Sequence, residues 1–350
     1  MHPTERSPLL EPLDLARLSA RQRAGRLSLQ SASLAETRPH DAPPTAASVA
    51  RQAEGLRQQR NYAVREVLAW HGASAVGQVF TSASRKGDNP HLLQVEVYVP
   101  AARRRQGLGR ALLRVAVEQA LAERRSLLIG TSVDRVAAGA AFARGVGARP
   151  GLVSKVFELP LAELDDALIE AWSRAGPERA PNEALVWIGC PYPETELERL
   201  ARLMMAMNDI PLGDLQIGDR LVTPATLRDG DAFARARGDE RWTLAARRRA
   251  DGALVGLTEV LWNASNPGVL VQLATVVLRE ERGRGLGRWL KAAMLARVRR
   301  ERPQVQRVRT ENASMNAPMQ AINDALGFRL VLTETVWQVE TEVAAAALAR

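Results

Sequence analysis

One short phrase containing two glycines occurs twice in this sequence, each time at the start of an amphipathic run. Residues 104–117 read RRQGLGRALLRVAV, and residues 282–295 read RGRGLGRWLKAAML. The first aligned glycines, Gly107 and Gly285, lie 178 positions apart by subtraction. A phrase repeated at this distance indicates an internal duplication, in which each half of the chain folds in the same way.

The elements predicted around the phrase also repeat. In each half, three β-type runs precede the glycines, and a helix, a strand, a second helix and a closing strand follow them. The alignment persists to the end of this series, where Gly147 matches Gly327 at an offset of 180. The pattern predicts the α/β (α+β) class, with each half a mixed, mainly antiparallel sheet flanked by helices.

The length of 350 residues exceeds what one ordinary hydrophobic core supports, so two domains are expected. We assign residues 1–170 to an N-terminal domain, residues 171–184 to a linker, and residues 185–350 to a C-terminal domain. Roughly the first thirty residues are rich in Pro, Ser and Arg, and we expect them to be poorly ordered.

The composition argues against several functional classes. The formal net charge of +9 comes mainly from arginine spread along the chain, and aromatic residues are only 4%, which is not typical of a nucleic-acid binder. One cysteine and four scattered histidines exclude an intrachain disulfide and suggest no metal site. No apolar run approaches the ~20 residues that span a bilayer. We therefore expect a cytoplasmic protein without a metal, a membrane or a nucleic-acid partner.

The repeated glycines suit the binding of a phosphate group. A strand followed by Gly-x-Gly at a helix start brings several backbone N–H groups together, and the helix N-terminus adds partial positive charge. Glycines let the backbone approach a bulky anion, and the neighbouring arginines supply charge. The alternative is that the glycines form only a tight turn with solvated arginines. A single copy of the phrase would not distinguish this turn from a phosphate site. Two copies in the same context favour a pyrophosphate cradle.

The details of the phrase narrow the kind of cradle. Neither copy is a P-loop, because both lack Lys followed by Ser or Thr. The spacing of Gly283, Gly285 and Gly287 does not fit the Rossmann pattern either. Both copies fit R/Q-x-x-G-x-G/A, and both halves resemble the GNAT superfamily of N-acetyltransferases, over about residues 60–160 and 185–340. The whole chain is similar to the tandem acetyltransferases common in actinobacteria.

The resemblance implies acetyl-CoA as the donor, with its pyrophosphate on the loop amides and its pantetheine on a splayed fourth strand. Val99 and Val277 then lie where a backbone amide can polarise the thioester carbonyl. The loop residues implied to bind acetyl-CoA are Arg104, Arg105, Gln106, Gly107, Leu108, Gly109 and Arg110 in the first half. Those in the second half are Arg282, Gly283, Arg284, Gly285, Leu286, Gly287 and Arg288.

The halves differ after the loop. The family's fifth strand often carries an Asn that bridges to the cofactor, and only the second half has one, Asn312. Asn316 is assigned to the cofactor with it, although both residues could instead cap the following helix. The family's proton donor to the CoA thiolate matches Ala143 and Asn323. Asn323 is the candidate in the second half, but neither residue is a good acid, so Tyr98, water or a substrate proton stay as options.

A carboxylate is expected to take the proton of the attacking amine. In the first half Glu96 is the candidate, because it stands in an otherwise apolar strand three residues before Val99. The second half has Ala274 at the matching position, so Glu259 on the preceding strand is the candidate there. Either carboxylate could instead lie on a strand face in solvent or paired with an arginine.

Together these features predict an N-acetyltransferase that passes the acetyl group directly to a primary amine, of a small molecule, in a ternary complex. The alternatives are acetylation of a protein N-terminus or lysine, and a non-catalytic acyl-CoA-binding regulatory protein. The three asparagines favour the second half as the catalytic one, since the first half has the alanine- and glycine-rich run RVAAGAAFARG instead. The position of Glu96 favours the first half.

Overall fold

The computed structural model describes residues 8–313 and 316–350. The strands among them are β1 (Leu9–Pro12), β2 (Tyr62–His71), β3 (Ser74–Ser84), β4 (Leu92–Tyr98), β5 (Leu127–Val133), β6 (Arg149–Pro160), β7 (Glu183–Ile188), β8 (Asp239–Arg248), β9 (Leu254–Asn263), β10 (Val269–Val277), β11 (Arg307–Ala313) and β12 (Arg329–Glu340). The helices are α1 (Ala20–Thr37), α2 (Ala46–Gln58), α3 (Leu108–Ala122), α4 (Ala137–Gly145), α5 (Asp166–Arg179), α6 (Leu197–Met205), α7 (Pro224–Arg237), α8 (Leu286–Glu301), α9 (Ala317–Leu326) and α10 (Thr341–Ala349).

The chain forms two compact units, and each is discontinuous in sequence. Unit 1 comprises the described residues up to Val153, together with Asp214–Gly218 and Glu334–Arg350. Unit 2 comprises Ser154–Gly213 and the described part of Asp219–Thr333.

The two units have the same sheet topology, as expected from a duplication. In unit 1, strands β1 to β4 are antiparallel neighbours in order, β4 pairs in parallel with β5, and β5 pairs antiparallel with the end of β12. In unit 2, strands β7 to β10 are antiparallel neighbours, β10 pairs in parallel with β11, and β11 pairs antiparallel with the end of β6. The predicted mixed, mainly antiparallel sheet flanked by helices is therefore confirmed.

The closing strands are exchanged between the repeats. Ser154–Pro160, at the end of the first repeat, belongs to unit 2, whereas Glu334–Glu340, at the end of the second, belongs to unit 1. Each following helix goes with its strand, so α5 is part of unit 2 and α10 is part of unit 1. For this reason the compact units differ from the contiguous segments 1–170 and 185–350. The assignment of residues 171–184 as a linker describes where one repeat follows the other along the chain, and it stays a prediction.

Strand β2 shows how alternation builds a core on both faces of a sheet. Val67 and Ala69 pack in the cluster that includes α3 and α10, whereas Leu68 and Trp70 pack with Leu29 of α1. Because successive side chains point to opposite faces, an uninterrupted apolar run fills two layers. In unit 2, the cluster with α5 and α8 lies on one face and the cluster with α6 and α7 on the other.

The N-terminal region is more regular than its composition suggests. Residues 8–30 contain β1, which pairs with β2, and most of α1, which begins at a capping box formed by Ser19 and Gln22. The expectation of poor order was therefore wrong for residues 8–30, because burial of Arg26 and Leu29 against the sheet outweighs the polar composition. Residues 1–7 lie outside the described residues. Across the part of the chain that is described, no helix is long and apolar enough to cross a bilayer.

Candidate functional site

Each glycine loop ends in a helix that starts on a left-handed glycine. Gly107 precedes α3 with φ 80°, and Gly285 precedes α8 with φ 83°. Neither glycine has a side chain to cap the first N–H groups of its helix. Such uncapped N–H groups, together with the helix dipole, form an anion-binding end.

The first arginine of each loop folds back onto the strand that precedes it. Arg104 Nε donates to the Val99 carbonyl oxygen at 2.9 Å, and Arg282 Nε donates to the Val277 carbonyl oxygen at 3.1 Å. The repeated contact fixes the course of the loop. These two arginines therefore hold the loop in position against its strand, which is a different role from supplying free charge to a phosphate.

Both sheets open beside the loop. In unit 1, β4 pairs with β5 only from Leu92 to Gln94, although both strands run on beyond that point. In unit 2, β10 pairs with β11 only from Val269 to Gln272, and its register with β9 is irregular between Gln272 and Thr275. A parallel pair that separates in this way leaves backbone groups of the fourth strand free to bind an extended ligand.

Unit 1 has a cleft of about 370 Å³ at this opening. The end of β4 forms one wall, the loop and the start of α3 form a second, and α4 forms the third. The cleft is lined by Val97, Tyr98, Val99, Arg104, Arg105, Gly107, Gly109, Arg110, Val136, Ala138, Gly139 and Phe142. Six of these twelve residues come from the predicted set of loop and strand residues, since Val99 and all of the first loop except Gln106 and Leu108 are among them. Tyr98 was an optional proton donor, and the other five were not predicted.

The cleft in unit 1 presents positive charge that the protein does not neutralise. Arg104 pairs with Glu36, but Arg105 and Arg110 form no ion pair with a described carboxylate. Arg105 has φ 62°, a left-handed conformation that is strained for a residue with a side chain. Arg110 donates to the Ala347 carbonyl oxygen at 2.6 Å. Of the other loop residues, Leu108 is buried as an anchor of α3 and Gln106 is exposed.

The equivalent charges in unit 2 are paired. Arg282 contacts Asp209 at 2.9 Å, and Arg284 binds both Glu183 and Glu281. Arg288 lies over the Trp172 ring, 5.6 Å from its centroid. The second loop therefore offers the same backbone as the first loop, but its arginines already have partners within the unit.

Helix α5 also reaches the second loop. A Cβ added to Gly285 would lie 3.4 Å from Arg179 Cδ, whereas a Cβ on Gly107 would meet nothing within 4 Å. Further along, α5 packs so closely on α8 that a Cβ on Gly176 would lie 2.2 Å from Trp289 Cγ. The glycine at the helix start, which a pyrophosphate would approach, is therefore open in unit 1 and partly covered in unit 2. Gly283 of the second loop takes φ 82°, and a Cβ there would meet nothing within 4 Å. A Cβ on Gly287 would lie 3.3 Å from Ile322 Cδ1, and one on Gly109 would lie 3.3 Å from Phe142 Cε2.

Glu96 lies on β4 with its surface exposed to solvent. Enough protein surrounds it that desolvation raises the pKa of its carboxyl, and the nearby charge of Glu66 raises this pKa further. It forms no ion pair with another described residue. An unpaired carboxylate with a raised pKa, close to the opening of the sheet, suits a general base.

Tyr98 is the other ionisable group at the end of β4. Its hydroxyl donates to Glu36 Oε1 at 2.8 Å. Burial, followed by this hydrogen bond and the charge of Glu36, raises the pKa of the phenol well above its usual value. A thiol has an ordinary pKa near 8.5, so a phenol held this strongly is a poor proton donor to a thiolate. Tyr98 is better suited to positioning than to proton transfer.

Glu259 does not fit the role of a general base. It is 5% exposed and binds the hydroxyl groups of Tyr192 and Thr243, the latter at 2.7 Å. Arg241 lies 3.8 Å away. The carboxylate is therefore enclosed within a polar cluster, and an incoming amine could not reach it without breaking these bonds.

Asn323 does not fit the role of a proton donor. It is fully buried in α9, where its Oδ1 accepts a hydrogen bond from Lys291 Nζ at 2.6 Å. Lys291 is itself 1% exposed, and burial lowers the pKa of its amine to about 7. The one local sign of this pair in the sequence is a single lysine in the apolar stretch of α8.

The other two asparagines have separate roles. Asn316 is the N-cap of α9, since its side chain accepts from the Met319 N–H at 3.4 Å, which is the capping alternative. Asn312 is 8% exposed on β11, and its side-chain nitrogen has no hydrogen-bond partner among the described residues. Asn312 therefore keeps a free donor, as the assignment to a cofactor requires.

Sequence reasoning missed one wall of the cleft. Val136, Ala138, Gly139 and Phe142 line it, and all lie in the alanine- and glycine-rich run that suggested a purely structural first half. A Cβ on Gly139 would lie 2.9 Å from Ser132 Cβ, so this helix can sit close to β5 only because the residue is small. The alanine- and glycine-rich run could have indicated this wall of the cleft from the sequence, because small side chains leave room for a ligand.

A split mixed sheet with a glycine loop at the start of the following helix, present once in each unit, is the arrangement of a tandem GNAT fold. No protein-family model matches the chain, and no curated protein matches it. Among solved structures, the chain is similar to a tandem GNAT protein from the clavulanic acid biosynthesis pathway, with 28% identity and a TM-score of 0.79 over 95% of this chain and 98% of that chain. It also resembles a GCN5-related N-acetyltransferase from Sphaerobacter thermophilus, with 16% identity and a TM-score of 0.64 over 95% and 96% of the two chains.

The predicted relationship is thereby confirmed. The chain has the tandem GNAT fold, and its similarity to the tandem GNAT protein supports an acyltransferase.

Proposed function

We propose that unit 1 binds acetyl-CoA in its cleft and transfers the acetyl group directly to a primary amine of a small molecule. The observation that carries this proposal is the open cleft between the end of β4, the first glycine loop and α4. A Cβ on Gly107 would meet nothing within 4 Å, the helix N-terminus is uncapped, and Arg105 and Arg110 have no carboxylate partner among the described residues. These features fit an anionic, extended ligand such as coenzyme A.

The residues of unit 1 divide the binding between them. The N–H groups at the start of α3 hold the pyrophosphate, and Arg105 and Arg110 add charge from the cleft wall. The backbone N–H of Val99, at the end of the separated strand, polarises the thioester carbonyl. Bound acetyl-CoA supplies the activated acetyl group.

Glu96 serves as the general base. It accepts a proton from the acceptor amine as the new C–N bond forms and the C–S bond of the thioester breaks. The thiolate that leaves is protonated by water or by a proton from the acceptor, because the Tyr98 hydroxyl is held by Glu36. No covalent enzyme intermediate is needed, since the amine attacks the thioester directly.

Unit 2 has a structural role in this proposal. Its loop arginines are neutralised by Asp209, Glu183 and Glu281, and α5 lies beside Gly285. We therefore place the chemistry in unit 1, which reverses the expectation drawn from the three asparagines. The free amide of Asn312 is the observation that speaks for unit 2.

Matched substitutions in the two loops test this assignment. Gly107→Glu and Gly285→Glu place the same acidic side chain at equivalent left-handed positions, so their effects on folding should be similar. Isothermal titration with acetyl-CoA should show binding to the wild type and to Gly285→Glu but not to Gly107→Glu, and EDTA should change none of these results. Loss of binding in Gly285→Glu alone would move the site to unit 2.

Turnover is tested separately. Release of CoA thiol upon mixing the protein with acetyl-CoA and a panel of small amines should depend on both the amine and an intact first loop. Release that occurs only with a protein N-terminus or lysine peptide would favour a protein acetyltransferase. Tight binding without release in the presence of any acceptor would favour a regulatory acyl-CoA-binding protein.

A further inference from the structure

The face of the unit 1 sheet that carries Glu96 can be traced from the strand register. Glu96 lies opposite Phe80 on β3, and Phe80 lies opposite Glu66 on β2. Directly opposed residues share a face of a sheet. Glu66 binds Arg26 of α1, so this is the face that α1 covers, away from α3. An acceptor approaching Glu96 must therefore bind on the α1 side.

The exposed residues of β4 and β5 beside the opening on this face are polar. Gln94 and Glu96 alternate along β4, and Gln94 is in register with Ile129 on β5, so Thr131 shares the face. All three of Gln94, Glu96 and Thr131 are exposed, whereas Ile129 between them is buried. Beyond Gln94 the two strands separate, so Glu96 and Thr131 flank the opening through which the two faces of the sheet communicate. The side chains at this opening are an amide, a hydroxyl and a carboxylate.

Three other carboxylates on this side of the sheet are held in ion pairs. Glu36 pairs with Arg104, Glu66 pairs with Arg26, and Glu334 pairs with Arg38. Only Glu96 lacks such a partner among these carboxylates. A ligand that brings one positive charge would balance it.

A short segment from the second repeat bounds the exposed area. Asp214–Gly218, which we call the strap, belongs to unit 1. The Gln216 N–H donates to Gln338 Oε1 at 2.9 Å, and Gln338 Nε2 donates to the Asp214 carbonyl oxygen at 2.6 Å. Gln338 is in register with Ile129, so the strap lies on the face of Glu96 and covers the part beside Ile129.

The strap is fastened at its other end as well. The side chain of Asn89 binds both the N–H and the carbonyl oxygen of Gly218, at 2.6 and 3.2 Å. His91 Nε2 lies 2.9 Å from the Gln216 carbonyl oxygen. What stays exposed along β4 is the short interval from Gln94 to Glu96, about 7 Å at 3.3 Å per residue. The available site is therefore small as well as polar.

From this face we infer the class of acceptor: a compact, polar ammonium compound whose hydroxyl or carbonyl groups are bound by Gln94 and Thr131 beside Glu96, with the strap limiting its size. This inference rests on the proposed function, because it takes Glu96 as the group that meets the amine. The inference adds that the acceptor apart from its amine is compact and polar, and it names Gln94 and Thr131 as specificity-determining side chains.

Two amines of nearly the same shape test the inference. In 2-amino-1,3-propanediol, two hydroxyl groups replace the two terminal methyl groups of 3-aminopentane. Binding of each amine to the protein saturated with CoA is measured by titration, and kcat/KM is measured with acetyl-CoA. We expect the diol to be preferred by about tenfold or more, since each hydrogen bond contributes a few-fold in affinity. Gln94→Leu and Thr131→Val should each reduce this preference several-fold without changing the Kd of acetyl-CoA.

The outcomes separate this inference from the proposed function. Preferential binding of the diol that is lost in Gln94→Leu supports the inference, even if no acetyl transfer occurs, in which case the transferase proposal alone fails. Equal binding of the two amines, or a preference that both variants retain, overturns the inference whether or not transfer occurs. Thr131→Val nearly preserves side-chain volume, so it keeps the test decisive if Gln94→Leu does not fold.

Discussion

In unit 2, the guanidinium of Arg284 forms two parallel hydrogen bonds with the carboxylate of Glu183, at 2.9 and 2.8 Å. Glu183 is 2% exposed and stands 101 residues away in sequence. The matching residue of the first loop is Gln106, which is exposed and has no such carboxylate. The residue at this position of the repeat thus stabilises the fold in unit 2, whereas its counterpart in unit 1 lies at the surface.

Arg284→Gln, which installs the residue of the first loop, should therefore affect stability more than ligand binding. It leaves the buried Glu183 without its cation, and we expect the free energy of unfolding to fall by about 1–3 kcal/mol. Urea unfolding measures this change, and titration should give an unchanged Kd for acetyl-CoA. A weaker Kd with undiminished stability would show that Arg284 serves the ligand instead.

Arg105→Gly installs in the first loop the residue that the second loop has at the matching position. We expect this change to affect ligand binding more than stability. Gly283 at the matching position already takes φ 82°, so glycine accepts the left-handed backbone of Arg105 without strain. We expect stability to be unchanged or slightly raised, and the affinity for acetyl-CoA to fall by roughly 3- to 30-fold through loss of one charged contact. Titration at low and high salt provides the check, because the difference between wild type and variant should shrink as salt screens the charge. An identical Kd at low salt would exclude Arg105 from the site.

Glu96→Gln tests the general base. The change keeps the size of the side chain but removes its ability to accept a proton, so kcat should fall by about 10- to 1000-fold while acetyl-CoA still binds. Burial raises the pKa of the Glu96 carboxyl, so the carboxylate form is lost at a higher pH than for an ordinary glutamate. The acid limb of kcat/KM should accordingly lie above pH 4.3, the usual glutamate pKa, and it should disappear in the variant. Retention of both kcat and the acid limb in Glu96→Gln would remove this residue from the mechanism.

The parts of the fold that the sequence predicts are those fixed by local patterns. Left-handed glycines at Gly107 and Gly285, and helices with one apolar stripe, are encoded within a few residues, so the repeat, the loops and the sheet order were predictable. The exchange of closing strands was not, because Ser154–Pro160 and Glu334–Glu340 both mix apolar and polar residues and either could complete either sheet. Which sheet each closing strand completes is decided by its pairing with strands that are far away in sequence.

The candidate site shows the same limit. Glu96 and Glu259 are both single carboxylates in apolar strands, and their sequence contexts do not distinguish them. The structure does, since Tyr192 and Thr243 enclose Glu259, whereas Glu96 has no ion-pair partner among the residues that the structure describes. Burial of Asn323 likewise depends on α9 packing over Lys291, a contact that no local pattern encodes.

The buried pair of Lys291 and Asn323 should make stability depend on pH. Burial lowers the pKa of Lys291 from 10.5 to about 7, so between these values the unfolded chain binds a proton that the folded chain does not. Stability contributed by this group therefore rises with pH from about 7 to 10, by up to roughly 1.4 kcal/mol per pH unit. The double variant Lys291→Leu/Asn323→Ala installs Leu113 and Ala143, the residues of the first repeat, and should remove this slope. Urea unfolding of both proteins at pH 7, 8 and 9 gives the difference directly, since other titrating groups cancel in the comparison. If the two proteins change in parallel with pH, Lys291 keeps its proton in the folded state, and the site must hold a compensating acceptor.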